Sequence, residues 1–468
     1  MRDLDASRIT LEDASGHRRR LKNLRQANET VRSCARVHSI GEYIAGQVTY
    51  NLGEYPSPFS ATPTDYDADL LRTFARHGVG LIQIHEEWND SQRLLGADKF
   101  TAHDPAGLRK FVDLVHELGM RVILYASTGY FEMSDPDFRP EWAGRDWPLV
   151  ELYFRYAHCS PASPEWRAYL LPRLERILDE YGVDGLYDDL GYVPQHLRDG
   201  SEPTHISPAP ETPDHGAALE DLLGIVRDLV HSRGGVFKVH AGGATAPPCR
   251  EKVYDYLWVG EAVANVDELC QKTRNLEPYV VPALDMSRAR IENEDDLYLY
   301  SVPFMQFPLR VDGRPCTGER ALVPGVKYQR GEDCFWTRHM RAVNRYYREH
   351  PDAPPMYGWW DSCPGRADAR ARWLYHFDLY RPMVASGTRV WIGIERCDFL
   401  EDAIPSQCVA SLFVNHEMYL VLANYGHRAV QMRSAWSWTD CETGRTGSIL
   451  TIPPRDLLFL RRVVEETC

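Results

Sequence analysis

Short apolar runs alternate with amphipathic stretches along most of this chain, the pattern of βα units feeding a parallel sheet. Eight runs predict strands: 45–50, 80–85, 121–126, 185–189, 236–240, 256–259, 280–284 and 299–305. The helical segments between them carry clear start and stop signals. Thr64-Asp-Tyr-Asp opens one that runs to His77 and stops at Gly78. Asp104-Pro-Ala-Gly opens another, with Leu108, Phe111, Val112, Val115 and Leu118 as its apolar stripe. Ser163 caps a third, with Pro164 at the first helical position and Leu170, Leu174, Ile177 and Leu178 on one face. Eight such units close a (β/α)₈ TIM barrel more naturally than they make an open sheet.

Beyond Met305 the texture changes. Residues 308–332 are rich in Gly, Pro and charge and read as a long loop over the barrel mouth, followed by helical stretches at 335–349 and 366–382. From Val409 onward strands and turns alternate, as in a small antiparallel β-sandwich. Residues 1–35 are polar and basic without a period, and read as a linker or the remnant of a preceding domain. The expected organisation is that linker, a catalytic barrel over 36–395, and a C-terminal β-sandwich domain over 396–468.

Composition narrows the function. A chain of 468 residues has room for a large domain and a smaller one. Its net charge of −14 argues against nucleic acid or an anionic membrane as partner, since both are polyanions. No apolar run approaches the ~20 residues of a transmembrane helix. The opening Met-Arg-Asp-Leu-Asp-Ala lacks a basic-then-apolar signal peptide, so a cytoplasmic location, or a chain already trimmed from a secreted precursor, is expected. Eleven scattered cysteines without a Cys-x-x-Cys pair suggest neither a disulfide framework nor a zinc ribbon.

The carboxylates at the strand ends carry the chemistry. In a parallel barrel the strand C-termini converge on one face, and two carboxylates there can break a glycosidic bond. Asp189 ends strand 4 in Gly182-Val-Asp-Gly-Leu-Tyr-Asp-Asp189 and is the candidate nucleophile; its neighbour Asp188 points to the other face, where it could bond the backbone or reach a sugar hydroxyl from the rim. Glu261 ends Trp258-Val-Gly-Glu261 on strand 6 and is the candidate acid/base, with Trp258 supplying desolvation. Blander roles are open to both: Asp189 as a loop cap, Glu261 as the first residue of a helix over 262–272. His85, Glu87 and Trp88 at strand 2, Lys238 and His240 at strand 5 and Asp285 at strand 7 are candidate sugar contacts. Trp359 and Trp360 read as packing residues of a loop.

These motifs, in this order, resemble glycoside hydrolases of the α-galactosidase clan, which includes families 27, 36 and 31. Pro161-Ala-Ser-Pro-Glu-Trp through Glu180-Tyr-Gly-Val-Asp-Gly-Leu-Tyr-Asp-Asp189 is similar to the helix and fourth strand that deliver that clan's nucleophile. Trp258-Val-Gly-Glu261 resembles its sixth-strand acid/base motif, with Glu where the clan has Asp, and His85-Glu-Glu-Trp88 resembles its Asp-Asp-Gly-Trp sugar-binding turn. The resemblance implies a retaining glycosidase for an α-linked sugar, needing no cofactor or metal. An α-amylase-like barrel would carry its acid on strand 5, where this chain has Lys-Val-His-Ala-Gly-Gly. Metal catalysis would want a His-x-His pair on strand 1, where Tyr50 and Asn51 stand. The alternative from another class is a non-catalytic carbohydrate-binding protein on the same barrel.

Overall fold

A computed structural model describes residues 14–53, 60–89, 100–132, 137–142, 150–151, 155–190, 215–260, 266–283, 295–314 and 367–463. The chain forms two compact units. The larger holds eight parallel strands: Gln47–Asn51, Leu81–Ile84, Arg121–Ala126, Gly185–Asp189, Val236–His240, Tyr256–Val259, Val280–Pro282 and Arg310–Gly313. The first seven pair with one another in sequence order, and the eighth pairs with the first, Val311 opposite Thr49. The Leu309 N–H donates to Pro282 O at 2.9 Å, tying the eighth strand's approach to the seventh and closing a TIM barrel.

Seven of these strands lie where the apolar runs predict them; the eighth does not. Residues 295–301 are helical and 302–304 a 3₁₀ turn, and this stretch belongs to the other unit. A short apolar run is consistent with a strand or a buried helix, and periodicity cannot separate them. The true eighth strand, Arg-Val-Asp-Gly, hides in a charged segment that read as loop. Its Asp312 is buried, bonded by Arg310 at 3.1 Å and by Arg370 of the helix Ala367–Tyr380 at 2.7 and 2.8 Å. Charges neutralised in this way can line a strand's helix-facing side.

The helix signals hold. Thr64 and Asp67 form a reciprocal capping box at the head of Asp65–His77, which ends at left-handed Gly78. Asp104 and Ser163 cap Pro105–Glu117 and Pro164–Tyr181. Below the barrel one staple occurs twice. His116, at the end of one helix, bonds Asp184 at 2.7 Å, and Asp184 accepts from Val122 N; His231 bonds Asp255 at 2.9 Å, and Asp255 accepts from Phe237 N. In each case the Asp leads into the next strand and fixes its start.

Between the third strand and its helix the chain makes an excursion, a small antiparallel sheet of Tyr130–Glu132, Val150–Glu151 and Arg155–His158. Its base is an aromatic cluster in which Phe131, Trp142, Trp166 and Tyr169 pack with ring centroids 4.4–6.0 Å apart.

The second unit is antiparallel: seven strands in the order Val31–Ser39, Arg389–Cys397, Cys408–Val414, Met418–Asn424, Asp456–Arg462, Val430–Asp440 and Thr446–Ile452. The strand Val430–Asp440 carries a bulge between Arg433 and Trp438, and one apolar core gathers Trp391, Leu412, Leu422, Met432, Trp438 and Ile452. The described part of the expected N-terminal linker, from Ala14 on, belongs to this unit. Ala14–Thr30 is a helix whose Ala27 joins that core, and Val31–Ser39 is the sheet's edge strand. The helix escapes detection because it is polar nearly all round, with Asn23 and Ala27 as its buried positions.

Candidate active site

Inward-facing residues alternate along each strand, so those two apart stack in layers inside the barrel. At the C-terminal ends the top layer comprises His85, Tyr125, Asp189, His240 and Trp258. The His85 ring lies 5.0 Å from Tyr125, 5.3 Å from Tyr187 and 6.3 Å from Trp258, and His240 packs against Trp258 at 4.2 Å. Asp189 projects into this aromatic ring and stays partly open, its side chain 22% exposed. His240 Nδ1 stands 3.3 Å from Asp189 Oδ1. On the other oxygen, Tyr130 and Tyr125 hydroxyls lie 3.0 and 3.3 Å from Oδ2 and 2.5 Å from each other.

The local chain explains the placement. Gly185 opens the fourth strand at φ +152, and a Cβ there would stand 1.9 Å from Val236 O, so only glycine lets strands four and five close. Gly260, immediately before Glu261, has φ +131 and lies so near Ala283 O that a Cβ has no room. Its N–H donates to Gly243 O at 2.7 Å, fixing the exit from the sixth strand.

Burial pushes the His85 imidazole down to about 4, overriding the pull of Glu87 and Asp189 and aided by Lys238. His85 is therefore neutral at pH 7 and can donate and accept at once.

Of the residues proposed from sequence, His85, Asp189, His240 and Trp258 come together. Four others are engaged by partners within the fold. Trp88 is 1% exposed, donates its indole N–H to Tyr125 O at 2.9 Å and packs edge-on to Tyr181, which leaves no face for a sugar. Asp188 is equally buried and accepts from the Thr128 N–H and hydroxyl at 3.0 and 2.9 Å, so it secures the loop after strand three. Lys238 points into the barrel's interior below the site, fully buried, with its ammonium on Gln47 Oε1 at 3.0 Å. Glu87, also buried, accepts from Leu52 N at 3.2 Å and braces the loop after strand one. Glu261, Asp285, Trp359 and Trp360 lie outside the described residues. Sequence reasoning missed Tyr125 and Tyr130; Tyr125 was findable, two residues along the strand from Ile123 and on its inward face.

Among the described residues no cluster of three His, Cys, Asp or Glu side chains could hold a metal ion, and no helix is long and apolar enough to cross a membrane.

Barrels of this kind are known. The α-galactosidase of glycoside hydrolase family 36 from Geobacillus stearothermophilus superposes with a TM-score of 0.52 at 11% identity, over 91% of this chain and 57% of its own. A maltogenic α-amylase from Thermotoga neapolitana gives 0.52 at 14% identity, over 89% of this chain and 99% of its own. Trehalose-6-phosphate hydrolase from Bacillus licheniformis gives 0.52 at 11% identity, over 91% and 100%. The chain spans little more than half the length of the α-galactosidase. No protein-family model matches the chain, and no curated protein matches it in sequence. At these identities the likeness is one of fold alone, a TIM barrel with a β domain.

Proposed function

We propose that this protein is a retaining glycoside hydrolase in which Asp189 is the nucleophile and Glu261 the general acid/base. The observation that carries the reading is Asp189 itself: a part-exposed carboxylate at the end of the fourth barrel strand, ringed by aromatic surface, with two phenolic hydroxyls at one of its oxygens. In the first step an Asp189 oxygen bonds to the anomeric carbon while the leaving oxygen takes a proton from Glu261. In the second, water attacks that carbon, its proton passes to Glu261, and the bond to Asp189 breaks with its electrons returning to the carboxylate. The part-exposed Trp258 and the neutral His85 are described groups placed to meet the sugar, and the buried His240 backs Asp189. An α-linked substrate follows from the sequence resemblance, and the neighbours support a carbohydrate: a variant of the family 36 enzyme is solved with stachyose.

Hydrolysis of a panel of aryl α- and β-glycosides tests this, comparing the native chain with Asp189→Asn and with Asp189→Gly plus azide. Cleavage of one sugar, lost in Asp189→Asn and restored by azide in Asp189→Gly, is expected. Activity that survives Asp189→Asn refutes the assignment, and glycan binding without turnover favours the binding-protein alternative.

A further inference from the structure

Tyr130 reaches Asp189 from the excursion after the third strand, and two anchors make its position rigid. Thr128 grips Asp188 with both its N–H and its hydroxyl, while the Trp166 indole donates to Thr128 O at 2.9 Å. Phe131, next in sequence, is locked into the aromatic cluster, and Cys159 N donates to Gly129 O at 2.8 Å. The loop 127–131 is thus fastened to the end of strand four through both adjacent carboxylates.

Proton accounting then orders the hydroxyls. Two phenols carry two protons, and their 2.5 Å separation requires one proton between them. Tyr130 lies at 3.0 Å from Asp189 Oδ2 against 3.3 Å for Tyr125, and the shorter distance assigns it the bond to the carboxylate, with Tyr125 donating to Tyr130. A chain of this kind strengthens its terminal bond, which here falls on a carboxylate.

We propose that Tyr130 is a positioning residue for the nucleophile: it holds Asp189 Oδ2 and stabilises the carboxylate as it departs in the second step. The proposal rests on the double-displacement reading. Before attack, donation to Oδ2 stabilises the ionised carboxylate and tempers its nucleophilicity. When the glycosyl–Asp189 bond breaks, the electron pair returns to the carboxylate and the hydrogen bond strengthens. Loss of the hydroxyl therefore slows the second step more than the first.

The test is Tyr130→Phe, which keeps the ring, assayed with an aryl glycoside whose leaving group departs readily. Expected are a fall of about 10-fold in kcat, from loss of one hydrogen bond to a charged group, a parallel fall in KM, and kcat/KM held within about 3-fold. Tyr125→Phe gives the same pattern more weakly. A loss carried by kcat/KM with KM unchanged, or no change in kcat, overturns the proposal. Melting temperature provides a second readout independent of turnover: Tyr130→Phe lowers it by about 2–4 °C in the native background and not in Asp189→Ala. Equal shifts in both backgrounds overturn the contact. If no glycoside is cleaved while the coupling persists, the double-displacement reading has failed and the Tyr130–Asp189 bond stands.

Discussion

Lys238→Met is predicted to stabilise the barrel, and to do so in a pH-dependent way. Lys238 is fully buried, and its ammonium has one neutral acceptor, Gln47 Oε1, with the Tyr187 ring 5.9 Å away. Burial lowers it from 10.5 to about 7. Each factor of ten in proton affinity corresponds to about 1.4 kcal/mol, so a lysine charged in both states costs the fold about 5 kcal/mol below pH 7. Between about pH 7 and 10.5 the unfolded chain binds the extra proton, so this group's penalty shrinks as pH rises. Methionine fills the same unbranched space without charge, and leaving Gln47 Oε1 unbonded costs about 2 kcal/mol. The variant should therefore exceed the native chain by about 3 kcal/mol at pH 6, with the gain fading toward zero near pH 9. Urea unfolding at pH 6, 7.5 and 9 and constant ionic strength measures the difference. A difference flat in pH, or a variant less stable at pH 6, refutes the reasoning. Substrate affinity provides a separate check. A lysine below the site leaves KM within about 2-fold, whereas a lysine holding the sugar would cost 10-fold or more.

Three further outcomes are expected. Arg314→Met removes bonds to Asp67, Leu52 O, Ser60 O and Thr62 O and strands a buried carboxylate, which should cost about 3–5 kcal/mol in urea unfolding at pH 7. Burial alone would raise the Asp67 carboxyl, but Arg314, Tyr50 and the Thr64 N–H hold it below its ordinary value. That contribution is present above the unfolded value and lost as pH falls through the folded one, so the variant's deficit should narrow below about pH 4. Gly185→Ala places a Cβ 1.9 Å from Val236 O and should cost about 4 kcal/mol or more, seen as loss of the cooperative thermal transition or a large drop in its midpoint. Trp88→Phe should cost about 2–3 kcal/mol through a smaller ring and an unbonded Tyr125 carbonyl, with glycoside KM unchanged.

The errors of the sequence reading share a cause. Alternation says which face of a strand a side chain takes, and it placed Lys238 and His240 on the same inward face. It does not say how far along the barrel axis a long side chain runs: His240 stays in the top layer, while the lysine turns to Gln47 below it. Trp88 follows two acidic residues at a strand end, as a sugar platform would, yet Tyr125 O and Tyr181 claim its N–H and its ring. Arg310 and Asp312 made a strand look like loop, because the second cation that Asp312 binds, Arg370, lies 58 residues on in the sequence.

The sequence by itself determined the barrel's repeating units, its helix ends and the strand on which Asp189 sits. Those features depend on signals within a few residues: a Ser or Asp cap, a glycine free to adopt positive φ, an apolar period. The tertiary structure alone decided what surrounds Asp189. Tyr130 comes from an excursion, Tyr125 from the neighbouring strand and His240 from the next, and a hydroxyl becomes a donor to a carboxylate only when folding brings it within about 3 Å.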